Sequence, residues 1–141
     1  MTSLLLLIIL VILIILSGFL SGSETAITAT SKARILYKHK KGSKRAGYVL
    51  ELLDKKDNVI STLLLSNNLV NILASSLATA FFYDIFGVEG IFYATLIMTV
   101  VIVIFAEVLP KTYAINRPNR TALLISPIIY YLNKILFIFV F

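Results

Sequence analysis

Glu107 is a carboxylate set in an apolar run, Phe105-Ala-Glu-Val-Leu-Pro110. A charge in hydrocarbon is costly and is as a rule functional. A second run, Leu63 to Asn71, carries Ser66, Asn67, Asn68 and Asn71 among aliphatic residues. A third, Ser17 to Ala26, carries Ser21 and Ser23 beside Gly18 and Gly22. The available donors are therefore one carboxylate, side-chain amides, hydroxyls and backbone carbonyls. There is no cysteine, and the one histidine, His39, lies in a basic stretch. Hard oxygen donors without imidazole or thiolate suit Mg2+, Ca2+ or Na+ and argue against Zn2+ or copper. One glutamate among hydroxyls offers no nucleophile–base pair, so an enzyme is not expected.

These residues share a depth. Glu107 lies four residues before Lys111 and ten before Arg117, Asn67 eleven after Lys56, and Ser21 eleven before Lys32. At about 1.5 Å per helical residue, three segments bring oxygen donors to one level above a basic edge. Asn67 and Asn71 are four apart and share a helix face. Ser66, adjacent to Asn67, joins them only if the helix is locally widened. Pro110 lacks an N–H and frees a carbonyl in its own segment. Structural readings stand beside these: Gly18-x-x-x-Gly22 as a helix-packing motif, amides bonded to neighbouring helices, and Glu107 bridging Lys111 at i+4.

The elements that must position such residues follow from composition. Of 141 residues, 59% are hydrophobic and 14% charged, and the mean hydropathy is +0.95. That is too apolar for a soluble surface and too rich in Ile, Leu, Val and Phe for disorder. The pattern predicts an all-α polytopic membrane domain, residues 1–141, with spans at about 3–31, 58–83 and 90–110. Juxtamembrane helices are expected at about 32–56 and 119–141. About twenty apolar residues suffice to cross a bilayer. A cleaved signal peptide is the rival reading of the first run, but Met-Thr-Ser gives it no positive n-region.

Nine of the thirteen Lys and Arg residues lie between Lys32 and Lys56, and Lys111, Arg117 and Arg120 mark a second basic edge. A nucleic-acid binder would spread its cations over a folded face, so no nucleic acid is expected. The positive-inside rule puts the N-terminus and 84–89 outside, and 32–57 and 111–120 inside. In 121–141, Pro127 interrupts, and Ser126, Tyr130 and Asn133 form a polar stripe at i, i+4, i+7. A tilted juxtamembrane helix is expected there. The sequence stops at Phe141 within an apolar run, as a piece of a longer protein would.

Ser17-Gly-Phe-Leu-Ser-Gly-Ser-Glu-Thr-Ala26, Leu63-Leu-Leu-Ser-Asn-Asn-Leu-Val-Asn71 and Phe105-Ala-Glu-Val-Leu-Pro-Lys111 occur in order, one per span. Together they resemble the transmembrane domain of the CNNM/CorC (cyclin M) magnesium transporters. The resemblance implies a homodimer in the inner membrane of the cell, with one Mg2+ per protomer and export coupled to Na+. It places the metal ligands on Ser21, Ser66, Asn67 and Glu107, with Gly22, Ser23 and Asn71 as neighbours. Family members continue into a cytosolic pair of CBS modules, which these 141 residues do not contain. The alternative expectation is a membrane anchor and dimerisation module, or a Mg2+ sensor, without transport of its own.

Overall fold

The computed structural model describes the backbone of residues 2–140 and the side chains of residues 4–136. Phe141, the last residue of the expected final helix, lies outside the described residues. The order is α1 (Thr2–Ala29), α2 (Lys32–Lys40), α3 (Lys44–Asp54), α4 (Lys56–Phe86), α5 (Glu89–Val101), a π-helical segment (Ile102–Val108), α6 (Leu109–Asn116) and α7 (Pro118–Val140). No strand occurs among the described residues. A helix satisfies every interior backbone group within itself, which hydrocarbon demands.

Three helical stretches are long and apolar enough to cross a bilayer: Leu4–Ala29, Lys56–Phe86, and the continuous run Glu89–Asn116 through the π segment. At 31 residues α4 is about 46 Å long, well beyond the hydrocarbon thickness, so it reaches past the apolar layer or tilts within it. The outer faces of these helices stay apolar: Ile8, Ile12, Ile15, Leu65, Leu69, Ile72, Phe92, Leu96 and Val100 are all exposed. A soluble monomer rarely tolerates such a patch; lipid accepts it.

α1 is the central strut, packed most extensively on α4 and also on the π segment, α6 and α7. Away from the basic residues, Leu10 of α1 meets Ala74 and Ala78 of α4 and Met98 of α5. Toward the basic end the core passes to Leu20, Ile27, Leu63, Ile125 and Ile129, so α7 occupies the place that α5 holds at the far end. A collar of small residues, Ala26, Ala46, Ala114 and Ala122, seats α2, α3 and α6 beneath it.

The connections are capped as their residues require. Ser31 and Ser43 accept the Arg34 and Ala46 amides at the starts of α2 and α3, and Pro118 opens α7 at a position that needs no donor. Gly87 closes α4 with φ +73°, its amide on the Tyr83 carbonyl at 2.8 Å, a conformation open in practice to glycine alone. Asn119 Oδ1 accepts from Thr30 Oγ1 at 2.7 Å and from the Ser31 amide at 2.8 Å, tying the end of α1 to the start of α7. Asn119→Ala removes both bonds and strands the Ser31 amide. It is expected to cost about 1–3 kcal/mol, read as a lowered unfolding midpoint in detergent.

The expected helix of 121–141 forms as part of α7 (Pro118–Val140), and part of its polar stripe packs on α3. Ser126 is buried with its hydroxyl 2.9 Å from the Leu123 carbonyl of its own helix and 3.3 Å from the Arg45 carbonyl, while the Arg45 guanidinium donates to the Leu124 carbonyl at 3.4 Å. Tyr130 packs on Tyr48 with ring centroids 4.9 Å apart. Ser126 and Tyr130 thus turn toward α3, while the buried Asn133 Oδ1 has no partner within the protein.

Candidate metal centre

α1 and α4 meet at three oxygen atoms. Ser17 Oγ lies 2.7 Å from Asn67 Oδ1 and also within hydrogen-bonding contact of Asn71 Oδ1. A hydroxyl carries one proton and gives it to one of the two amide oxygens; the other amide, turned about its own axis, donates an N–H to Ser17 Oγ. Ser17 and Asn67 are buried and Asn71 is half-buried, so hydroxyl and amide oxygens line the contact between α1 and α4.

The third span approaches α1 along its glycines. A Cβ on Gly18 would lie 3.3 Å from the Phe105 carbonyl oxygen, and one on Gly22 would lie 3.5 Å from the Pro110 carbonyl oxygen. The π register explains why a carbonyl is free there. The Leu109 amide bonds to the Ile104 carbonyl, five residues back; the next donor in that register would be Pro110, which has no N–H for Phe105. Widened turns of this kind are enriched at functional sites.

Ser21 stands between these two contacts. At about 100° per residue, it projects between the direction of Ser17, which faces α4, and that of Gly18 and Gly22, which face the third span. Its side chain is 0% exposed, and its hydroxyl has no hydrogen-bond partner. A buried hydroxyl left unpaired costs free energy unless something fills its vacancy. Gly18 against Phe105 and Gly22 against Pro110 also fix the level of Glu107, which falls on the same stretch of the third span as Ser21 does on α1.

The residues singled out from sequence divide as follows. Asn67 and Asn71 come together through Ser17. Ser66 is half-buried, one residue round the helix from Asn67. Ser23 is buried and spends its proton on the Phe19 carbonyl at 2.7 Å. Gly22 is a packing contact for Pro110. Glu107 is half-buried on the π segment, and no hydrogen bond or ion pair joins it to the oxygen cluster. Among the described residues the one ion pair is Lys32–Asp54 at 3.8 Å, so the Glu107–Lys111 bridge is not formed. No group of three His, Cys, Asp or Glu residues gathers among the described residues; a cation here would rest on neutral oxygens and one carboxylate.

Ser17 was not among the sequence-derived ligands, although it precedes Ser21 by four residues, the spacing that pairs Asn67 with Asn71. Two further buried oxygens lack partners on α4, Thr62 Oγ1 and Asn58 Oδ1. They stand four residues apart on the stretch from the oxygen cluster to the charged start of the helix.

The profile described as Cyclin M transmembrane N-terminal domain matches residues 8–141. The chain belongs to this cyclin M family. The cyclin M domain described here is 39% identical over 131 residues to the UPF0053 inner membrane protein YfjD of Escherichia coli, covering 85% of this chain and 31% of that protein. It is 38% identical over 123 residues to a UPF0053 protein of Haemophilus influenzae, covering 87% of this chain and 29% of that one. A putative DUF21 domain-containing chloroplastic protein of Arabidopsis thaliana is 30% identical over 122 residues, covering 86% of this chain and 18% of that protein. The chain thus spans less than a third of the length of these relatives. As a cyclin M membrane domain with three apolar helices, it is a multi-pass membrane protein.

Proposed function

We propose that this domain carries Mg2+ across the membrane, holding the ion between α1, α4 and the third span. The observation that carries the reading is the buried, partnerless Ser21 hydroxyl, set between the Ser17–Asn67–Asn71 oxygens and the carbonyl edge of the π segment. Mg2+ dehydrates reluctantly and demands near-octahedral oxygen geometry. Ser21, Ser66, Asn67, the Glu107 carboxylate and the Phe105 carbonyl supply the donor types, with Asn71 and Ser17 orienting Asn67. Glu107 would approach the ion when the third span shifts at its π segment, where the backbone register already changes. Thr62 and Asn58 offer the next oxygens toward the basic end.

Charge gives the orientation, and the resemblance to the magnesium transporters gives the direction, export. With the basic end cytoplasmic and the N-terminus outside, the ion loads from the cytoplasm and leaves outward. Na+ on the opposite gradient is the coupling ion, and two copies form a homodimer through the exposed apolar faces. The multi-pass family membership and the inner-membrane relative agree with this siting without fixing the cargo.

Calorimetry and flux together test it. The purified protein should bind Mg2+, and proteoliposomes should move Mg2+ faster when a Na+ gradient opposes it. Binding without flux would make the domain a sensor. Neither binding nor flux would make it an anchor for the rest of the chain.

A further inference from the structure

A cavity between the end of α3 and the middle of α7 takes no part in the cation reading. Its volume is about 120 Å3, and it is lined by Glu51, Leu52, Lys55, Tyr130, Asn133 and Lys134. Asn133 is only 8% exposed, and its Oδ1 has no hydrogen-bond partner. A buried amide oxygen of this kind calls for an N–H or O–H donor. Glu51 supplies a second acceptor, close enough to the Tyr130 hydroxyl to hold that phenol above its usual range. Lys55 and Lys134 both line this small space, the Lys134 ammonium lying 5.9 Å from the Tyr130 ring centre.

The cavity therefore has two demands: an anion for the lysines and, a few ångströms away, a cation with N–H donors for Glu51 and Asn133. We propose that it seats the phosphoethanolamine headgroup of a membrane lipid, phosphate on Lys55 and Lys134, ammonium on Glu51 and Asn133 Oδ1. A choline headgroup has no N–H to give Asn133. A phosphatidylglycerol headgroup has hydroxyls that can donate to Asn133 but brings no positive charge to Glu51.

Placement favours a lipid over a soluble phosphate. The cavity lies at the charged start of α4, beside Tyr48, Tyr130 and Tyr131, whose rings cluster within 4.9–6.3 Å of one another. Aromatic residues of this kind mark the headgroup level. Ile128, Tyr131 and Ile135 are exposed on another face of α7, an apolar surface that lipid accepts, so the helix carrying the cavity borders the bilayer. A lipid here would brace α3 against α7, the contact that closes the basic end of the bundle.

The test is thermal unfolding of the detergent-purified protein with phosphatidylethanolamine, phosphatidylcholine or phosphatidylglycerol of matched chains, and with free O-phosphoethanolamine. Phosphatidylethanolamine should raise the midpoint by about 3 °C or more beyond the other lipids. Native mass spectrometry should retain it in preference to them. Glu51→Gln, on an exposed side chain, and Asn133→Leu, which fills the amide's volume, should each erase that excess. Equal shifts from ethanolamine and choline lipids, a larger shift from phosphatidylglycerol, or a preference that survives both substitutions would overturn the proposal. A shift reproduced by free O-phosphoethanolamine would overturn its assignment to a lipid.

Discussion

Glu107→Gln is expected to lower Mg2+ affinity about 100-fold or more while leaving the unfolding midpoint unchanged or slightly higher. The two halves of this result have one cause. Glu107 has no ion-pair partner among the described residues, and Lys111 does not neutralise it. An amide in its place strands nothing and removes the cost of holding an isolated charge within the span. A doubly charged ion, by contrast, would then be left among neutral hydroxyls, amides and carbonyls in a medium that screens poorly. Asn67→Ala makes a less clean test, because Ser17 loses an acceptor with it and both binding and stability fall. A lowered midpoint with intact Mg2+ affinity in Glu107→Gln would make this carboxylate a structural residue. Titration calorimetry and an unfolding curve on the same preparation decide between the two.

The spans could be read from sequence because a bilayer imposes a length and a composition that few other environments do. Counted from the charged edges, Ser21, Asn67 and Glu107 stand at one depth. The contacts refine that count: Asn67 meets Ser17 and not Ser21, about one helical turn farther from the basic end. A count from helix ends cannot resolve one turn, since it assumes equal tilts and equal overhang, and α4 runs longer than the other spans. Ser17 was hidden for another reason. It closes an unbroken aliphatic run, and only the pairing of α1 with α4 shows that its hydroxyl has two amides to meet. The π segment left no mark in composition; it depends on Pro110 lacking an amide and on the close approach of Gly18 to the Phe105 carbonyl, and the second is tertiary. On α7, the 3.6-residue spacing of Ser126, Tyr130 and Asn133 was visible. Periodicity reports that a face is polar, not whether headgroups or the carbonyls of α3 satisfy it.

Three glycines should separate packing from ion binding. Gly90→Ala is expected to be the most damaging, by about 3 kcal/mol or more. Its Cβ would collide with the Phe82 carbonyl group and the Tyr83 amide nitrogen, both main-chain. Nothing flexible can yield there, so the turn between α4 and α5 must open. Gly22→Ala lies at the other extreme, with contacts of 3.4 Å and beyond to Pro110. Alanine fits that space, and its better helix propensity offsets any small misfit by up to about 1 kcal/mol. Gly18→Ala falls between. Its Cβ would stand 3.2 Å from the Pro110 ring and 3.3 Å from the Phe105 carbonyl oxygen. A proline ring and a main-chain oxygen yield only by moving the third span outward by a few tenths of an ångström, at a cost of about 1 kcal/mol. That displacement also draws the Phe105 carbonyl away from α1. If this carbonyl belongs to the ion's oxygen shell, Mg2+ affinity should drop about tenfold or more in Gly18→Ala, because a small ion with strict geometry does not follow a retreating ligand. Gly90→Ala would then lower stability far more than Gly18→Ala, and Gly18→Ala would lose affinity out of proportion to its loss of stability. Affinity falling only in step with stability across the three variants would remove the π segment from the site and leave the oxygen cluster to α1 and α4 alone.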